Sequence, residues 1–326
     1  MPDCSLNSDA IRIDCRGIKI GPPTVEIRWA DQLYQFVLDD VLKRGASFHA
    51  GLFANMHVTD EAALSYPRHQ RFAALLESPI NACYEHLSLL EQRFDCIYTH
   101  QHHLIQKGAP YRELHFGTNW VSVWTDSDSD SVLKSQTEKV KHVSFMGSIQ
   151  HTDSGAYSFR RSVAQHALER SDVDCFGKGI KEVGGKEEAI APYRFSIAME
   201  NAASDFYFSE KLIDCLLVDT IPIYYGCDGI GKLFDQRGLL CFSTLDELEQ
   251  ILSRVNSELY DHLKPFALKN KEIAIRNGWH SHPSLFRRVA QSLPPGLGSW
   301  QPISITPPSV FHRAAKKLAT MFSLNR

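Results

Sequence analysis

Two short polar groups, Glu200-Asn201 and Ser209-Glu210-Lys211, have residue types and a spacing that could do chemistry. The pair ends an apolar run, Phe195-Ser196-Ile197-Ala198-Met199, and the triplet opens a run with Leu212, Ile213, Leu216 and Leu217 on one face. The first turn of a helix leaves its N–H groups free and carries about half a positive charge, so it attracts phosphate. Lys211 adds a full charge there, and Glu210 could turn aside to sugar hydroxyls. A solvated Glu-Lys pair on a capped surface helix fits the same residues. Upstream, Arg160 and Arg161 begin another helical pattern, and a guanidinium in that place can chelate phosphate with its planar fork. Two solvated arginines are the plainer alternative.

The elements that must position these groups read as follows. The polar stretch from Ala202 to Phe208 is a loop, and a helix runs from near Ser209 to near Asp219. Thr220-Ile221-Pro222-Ile223-Tyr224-Tyr225 is a strand ending at Gly226, which completes one β–loop–α–β unit of a parallel sheet. Open α/β sheets bind nucleotides where polar strand ends face a helix N-terminus. Ahead of this unit, Val143 to Gly147 is a strand and 158–170 a helix with Phe159, Val163, Ala164 and Ala167 inward. Behind it, Gly238 to Phe242 is a strand and Thr244-Leu245-Asp246-Glu247 a capping box. Residues 258–291 are one or two helices expected to pack on this second domain.

The first 120 residues alternate strand and helix. Ile11-Arg12-Ile13 and Val25 to Trp29 read as strands, and 31–44 as a helix with Leu33, Phe36, Val37, Asp40 and Val41 on one face. Phe72 to Leu76 is a buried strand ending at Glu77-Ser78-Pro79, a helix covers 84–93, and Phe94 to His100 is a strand. Polar strand ends therefore fall at Glu77 and His100. Residues 45–70 read as loops and show no motif. The serine-rich segment 125–141 is the candidate linker; its Asp126, Asp128 and Asp130 alternate as a metal motif would, but a solvated loop is the expectation.

Composition narrows the function classes. A chain of 326 residues can hold two cores, and a net charge of −3 makes no electrostatic case for nucleic acid. No apolar run approaches the roughly 18–20 residues that span a bilayer, and Met1-Pro2-Asp3-Cys4 lacks a secretory layout. The eight cysteines are scattered, which fits reduced thiols better than a disulfide frame or a zinc site. Residues 292–310 are proline-rich. In 311–326, Phe311, Ala314, Ala315, Leu318 and Phe322 oppose Arg313, Lys316 and Lys317, as in a basic amphipathic helix that lies on an anionic membrane or docks on its own protein.

Together, Tyr193-Arg194-Phe195, Glu200-Asn201, Ser209-Glu210-Lys211-Leu212 and Thr220-Ile221-Pro222-Ile223 through Gly226 resemble the C-terminal signature of glycosyltransferase family 10, the α-1,3/1,4-fucosyltransferases, of bacterial type. Ser209 replaces the usual Thr, Cys215 the usual Ala, and Asp219 stands where Gly is common. Cys175-Phe176-Gly177-Lys178-Gly179 resembles a strand-to-loop segment of the same family. The resemblance is strong over 140–250 and weaker over 70–120.

That resemblance implies an α/β, GT-B-like fold: two Rossmann-like domains facing a central cleft, with a C-terminal amphipathic helical tail. Residues 1–140 would bind the acceptor, 141–291 the nucleotide-sugar donor, and 292–326 would be linker and tail. The expected activity is inverting, metal-independent transfer of L-fucose from GDP-β-L-fucose to a glycan hydroxyl, in surface polysaccharide or lipopolysaccharide synthesis. Eukaryotic members of that family carry a signal anchor, so the resemblance implies a bacterial-type cytoplasmic enzyme here, peripheral to the inner membrane through 311–326. Arg161, whose register to Leu168 fits better than that of Arg160, and Lys211 would grip the diphosphate. Glu210 would hold ribose hydroxyls, and Asn201, Tyr207, Glu200 and Ser209 would line the donor pocket, with Glu200 equally suited to a structural bond. The family's general base sits in a G-E-N-E-S-P-like turn, of which Leu76-Glu77-Ser78-Pro79 remains. Its own position falls on an apolar residue here, so Glu77, His100 and His102 are the candidates. A related transferase using another nucleotide sugar, or a non-catalytic nucleotide- or glycan-binding protein, would share the same residues.

Overall fold

The computed structural model describes residues 6–18, 21–121, 137–150 and 154–304. The first lobe contains β1 (Ile11–Arg16), β2 (Thr24–Trp29), β3 (Gln32–Val37), β4 (Ser47–Phe48), β5 (Ala50–Ala54), β6 (Arg71–Leu75), α1 (Leu87–Arg93), β7 (Ile97–Thr99), α2 (His102–Ile105) and β8 (Tyr111–Glu113). Its sheet runs β2-β3-β1-β5-β6-β7-β8, parallel except for the β2–β3 hairpin. The second lobe contains β9 (Lys141–Met146), α3 (Tyr157–Leu168), β10 (Val173–Phe176), α4 (Lys186–Ile190), β11 (Tyr193–Met199), α5 (Glu210–Leu217), β12 (Ile221–Tyr225), α6 (Ile230–Leu233), β13 (Leu240–Cys241), α7 (Leu245–Leu252) and α8 (Ser257–Arg276). Its sheet, β10-β9-β11-β12-β13, is wholly parallel. The chain then forms α9 (His282–Ser292) and β14 (Ile303–Ser304). Two Rossmann-like lobes are thus present, as the GT-B-like expectation required; segments 122–136 and 311–326, with the aspartate-serine run and the basic tail, lie outside the described residues.

Three sequence expectations give way. Residues 31–44 do not form a helix. Ala30 and Asp31 both take positive φ (48° and 62°), the backbone of a two-residue hairpin turn, and β3 pairs back on β2. Val25, Ile27, Tyr34 and Phe36 then share one core, a period of two that the neighbouring apolar residues had masked. Within 45–70, β5 is a central strand buried along its whole length, so it shows no alternation to read.

The third correction concerns the C-terminal end. α8 packs on the second lobe, but α9 crosses back: Leu285, Phe286, Val289 and Ala290 join the first-lobe core, with the Phe36 and Phe286 rings 4.8 Å apart. Gly278 at φ 63° ends α8, Ser281 caps α9, and β14 pairs antiparallel with β4. Residues 282–304 therefore cover the hairpin face of the first lobe instead of extending the second lobe or forming a free linker. Where the two inter-lobe connections meet, the Gly117 and Thr118 N–H groups donate to the Trp279 carbonyl at 2.9 and 3.0 Å.

Candidate active site

The second-lobe site is built from the end of β11 and the start of α5. Glu200 is fully buried, and its two oxygens accept from the Ser209 N–H at 2.8 Å and the Ser209 hydroxyl at 2.6 Å. These bonds pin the 201–208 loop and hold the α5 N-terminus against the sheet edge. A buried carboxylate is costly unless paired, and Lys211 Nζ lies 3.7 Å from its Oε2. Burial raises the Glu200 pKa, against the pull of Lys211. Ser209 is the N-cap, its hydroxyl accepting from the Lys211 N–H, so all of this geometry descends from one strand end and one cap.

From there a row of alternating charge crosses the first turn of α5. Lys211 Nζ is 3.0 Å from Glu210 Oε1; Lys186 Nζ of α4 is 3.2 Å from the same oxygen and 3.6 Å from Asp214 Oδ2. Burial alone would favour the neutral form of Lys211, but Glu210 and Glu200 outweigh it and raise its pKa. Burial likewise opposes ionisation of Glu210, yet Lys211 and Lys186 hold it down to about 2. Asp214 is fully buried, and burial pushes it up to about 7 although Lys186 and the Trp120 N–H, 2.7 Å away, pull the other way. Lys186 also sits 5.0 Å over the half-exposed Trp120 ring.

This row lines a cavity of about 420 Å³ at the carboxyl ends of β9 and β11, bounded by Arg160, Lys211, Glu210, Lys186 and Trp120. Gly177, at φ 124°, forms part of the wall opposite Gly147; a side chain there would run into the Gly147 carbonyl. Arg160, and not Arg161, reaches the cavity. A step of one residue turns a helix by about 100°, and in α3 that puts Arg160 inward with Val163 and Ala167. Arg160 Nη2 donates to the Met199 carbonyl at 2.9 Å, its guanidinium lies 4.8 Å over the Tyr157 ring, and its buried Nε has no hydrogen-bond partner among the described residues. Arg161 is half-buried and does not line the cavity.

The other expected donor residues stand behind or beside this cavity. The Asn201 carbonyl accepts from the Ala156 N–H at 2.8 Å and its amide nitrogen faces the Tyr157 hydroxyl at 3.4 Å, tying the start of α3 to β11. Tyr207 is buried at the lobe contact, its ring 5.0 Å from that of His100. Lys186, Trp120 and Asp214 were not singled out in the sequence, because they come from three separate segments with no fixed spacing.

Across the cleft, Glu77 follows β6 and His100 follows β7. Glu77 is exposed as a residue; partial desolvation of its carboxyl and then Glu210 raise its pKa, while Lys211 lowers it. His100 does not offer a free nitrogen. Its Nδ1 accepts from Gln101 Nε2 at 2.9 Å, which leaves the proton on Nε2, 3.0 Å from the Glu77 carbonyl. Burial lowers its pKa to about 4. His100 therefore fixes the Glu77 turn and stays neutral. His102 packs edge-on to Phe206 at 4.8 Å. Contact between lobes is completed by Ser204 and Gln101, 3.2 Å apart. Among the described residues no group of His, Cys, Asp and Glu could hold a metal ion, and no helix is long and apolar enough to cross a membrane.

Comparison with known proteins adds to this geometry. The model of "Glycosyltransferase family 10 (fucosyltransferase) C-term" matches residues 136–282, the span that carries Arg160, Lys186, Glu200, Glu210 and Lys211. The chain is similar to an α-(1,3)-fucosyltransferase of Helicobacter pylori, 34% identical over 58 residues, which is 18% of this chain and 12% of that protein. It is also similar to an α-(1,4)-fucosyltransferase of Arabidopsis thaliana, 23% identical over 156 residues, 46% of this chain and 36% of the relative. The chain thus matches about an eighth to a third of the length of these relatives. Among solved structures, an α1,3-fucosyltransferase with GDP covers 86% of this chain and 97% of its own at 14% identity, with a TM-score of 0.49.

Proposed function

We propose that this chain, whose residues 136–282 form a glycosyltransferase family 10 domain, transfers L-fucose from GDP-β-L-fucose to a glycan hydroxyl with inversion. The observation that carries this reading is the cavity in which Arg160 and Lys211 converge beside the α5 N-terminus. Two cations and a helix dipole there suit a departing diphosphate. Glu210, locked as a carboxylate by Lys186 and Lys211, suits ribose hydroxyls, and Trp120 with Lys186 forms a flat cationic end for the base. Glu77, with its raised pKa on the facing lobe, takes the acceptor proton as that oxygen bonds the anomeric carbon and the bond to phosphate breaks. The names of the similar proteins support fucose as the sugar.

The test is transfer from GDP-fucose across a glycan array, read by mass, beside UDP- and CDP-sugars. Turnover of a different donor, with none from GDP-fucose, would replace the sugar assignment. Neither transfer nor donor hydrolysis with any donor would leave a binding protein. Because Arg160, Lys211 and the helix terminus already neutralise the diphosphate, chelation with EDTA is expected to leave turnover unchanged. The acceptor belongs to a surface polysaccharide or lipopolysaccharide in this proposal, and residues 311–326 hold the enzyme to the cytoplasmic side of an anionic membrane. Equal pelleting with anionic liposomes, with and without those residues, refutes the membrane role.

A further inference from the structure

A second cavity, of about 440 Å³, opens on the first lobe, outside the donor site. We propose that it binds a neutral saccharide unit of the acceptor, one or two rings from the hydroxyl that reacts. Its position follows from strand register. Arg16 lies level with Phe53, Ala54 with Ala74, and Leu75 with Thr99, so β1, β5, β6 and β7 end along one edge. Glu77 and His100 leave that edge after β6 and β7; Arg16 and Gly17 leave it after β1 and enter the cavity wall. Two strand spacings separate the cavity from the Glu77 turn, roughly 10 Å. The turns are also tied directly. Asn55, at the end of β5, accepts from the Leu76 and Glu77 N–H groups at 2.9 and 3.0 Å, and His57 of the cavity wall follows two residues later.

The cavity is built from buried charge. Asp14 is fully buried and meets Arg16 Nε at 2.9 Å, Lys43 Nζ at 3.2 Å and the Tyr66 hydroxyl at 3.2 Å. Lys43 also donates to the Cys15 carbonyl at 2.5 Å and pairs with Asp40 at 3.1 Å. Well-packed apolar residues often give equal or greater stability than such a cluster, so stability alone does not account for it. What it achieves is a fixed guanidinium: Arg16 spends Nε on Asp14, and among the described residues its terminal nitrogens donate no hydrogen bond. His57 gives Nδ1 to Asp60 at 2.8 Å, and Nε2 has no hydrogen bond among the described residues.

The cavity wall therefore carries both donors, Arg16 and His57, and acceptors, Asp39 and Asp40. Sugar hydroxyls both donate and accept, which matches a wall that offers both. Among the described residues of the wall, Asp39, Asp40 and Asp60 outnumber Arg16 and Lys43, which disfavours an acidic sugar or a phosphate. Pro22, Pro23 and Leu38 supply the apolar side on which the C–H face of a ring can lie.

The identification of the ligand as acceptor rests on the transferase reading; binding at the cavity does not. The first arm therefore uses no donor: the labelled full chain on an array of neutral and acidic glycans, followed by saturation-transfer NMR with a neutral tetrasaccharide from that array. Leu38→Trp, which fills the cavity, and Asp39→Asn, which keeps the oxygen that accepts from Val41, are each expected to weaken binding about tenfold, the worth of one or two hydrogen bonds. A thermal shift with GDP in each variant shows that it folds. The second arm compares KM for the tetrasaccharide and for the disaccharide bearing the same reacting end; the variants should cut the tetrasaccharide's advantage by about tenfold. Unchanged binding in both variants overturns the site, and tighter binding of acidic than neutral glycans overturns its chemistry. Glycan binding lost in the variants of a protein that turns over no donor would retain the site and discard the transferase reading.

Discussion

Replacing Arg160 and Arg161 one at a time separates the geometry of the donor cavity from sequence register. Arg160 is 4% exposed, reaches the cavity and donates to the Met199 carbonyl; its neighbour does not line the cavity. Arg160→Ala removes one of the two cations beside the leaving diphosphate. Loss of one preorganised charge stabiliser costs about 2.7–4 kcal/mol, or 10²–10³-fold in kcat. The same truncation strands a carbonyl acceptor at the end of β11 and costs about 1–3 kcal/mol of stability. Urea unfolding and GDP calorimetry on each variant therefore accompany initial rates with GDP-fucose varied, at a temperature where every variant is folded. Arg160→Lys keeps the charge but loses the planar fork, and an intermediate loss is expected. Arg161→Ala should stay within about threefold of wild type, as substitutions away from a site usually do. A hundredfold loss in Arg161→Ala, with Arg160→Ala near wild type, would refute the placement of α3 and the mechanism built on it.

Glu77→Gln should lower kcat by roughly 10²–10⁴-fold with little change in GDP affinity. In wild type kcat/KM should fall as pH drops through the raised Glu77 pKa, because the base must be unprotonated; a flat profile would move the base elsewhere. His100 has a pKa near 4 in the fold against an ordinary 6.5, so the unfolded chain takes up its proton first, and stability is lost as pH falls from 6.5 to 4, by roughly 3 kcal/mol. Asp214, raised to about 7, works in the opposite direction, losing stability as pH rises from about 4 to 7. The informative quantity is thus the difference between wild type and His100→Gln, which should shrink as pH falls; parallel urea profiles would contradict it. Asp219→Gly relieves a left-handed residue at φ 58°, worth about 1 kcal/mol, but strips a carboxylate 2.6 Å from the buried Lys271 amine, worth about 3 kcal/mol. A net loss of roughly 2 kcal/mol is expected in denaturant unfolding, and a gain would show that the pair contributes little.

The β11–α5–β12 unit could be read from residues alone because each of its signals is local. A buried strand, a Ser209 cap, a helical face and a second strand lie within the range of one unit, and the structure reproduces them within a residue or two. The capping box at Thr244 is equally local. The hairpin at Ala30-Asp31 was hidden because Asp31 signals positive φ less strongly than Gly and Ala30 does not signal it at all. β5 was hidden because a strand buried on both faces has no period.

Local pattern by itself determined the strand–helix order and the parallel sheet of the second lobe, and the helix terminus that carries Glu210 and Lys211, since each depends on side chains a few positions apart. Tertiary structure alone decided which arginine of α3 faces the cavity, that Lys186, Asp214 and Trp120 converge, and that α9 returns to cover the first lobe. Those outcomes depend on residues tens to hundreds of positions apart, brought together by burial of apolar faces that have no spacing in the chain to announce them.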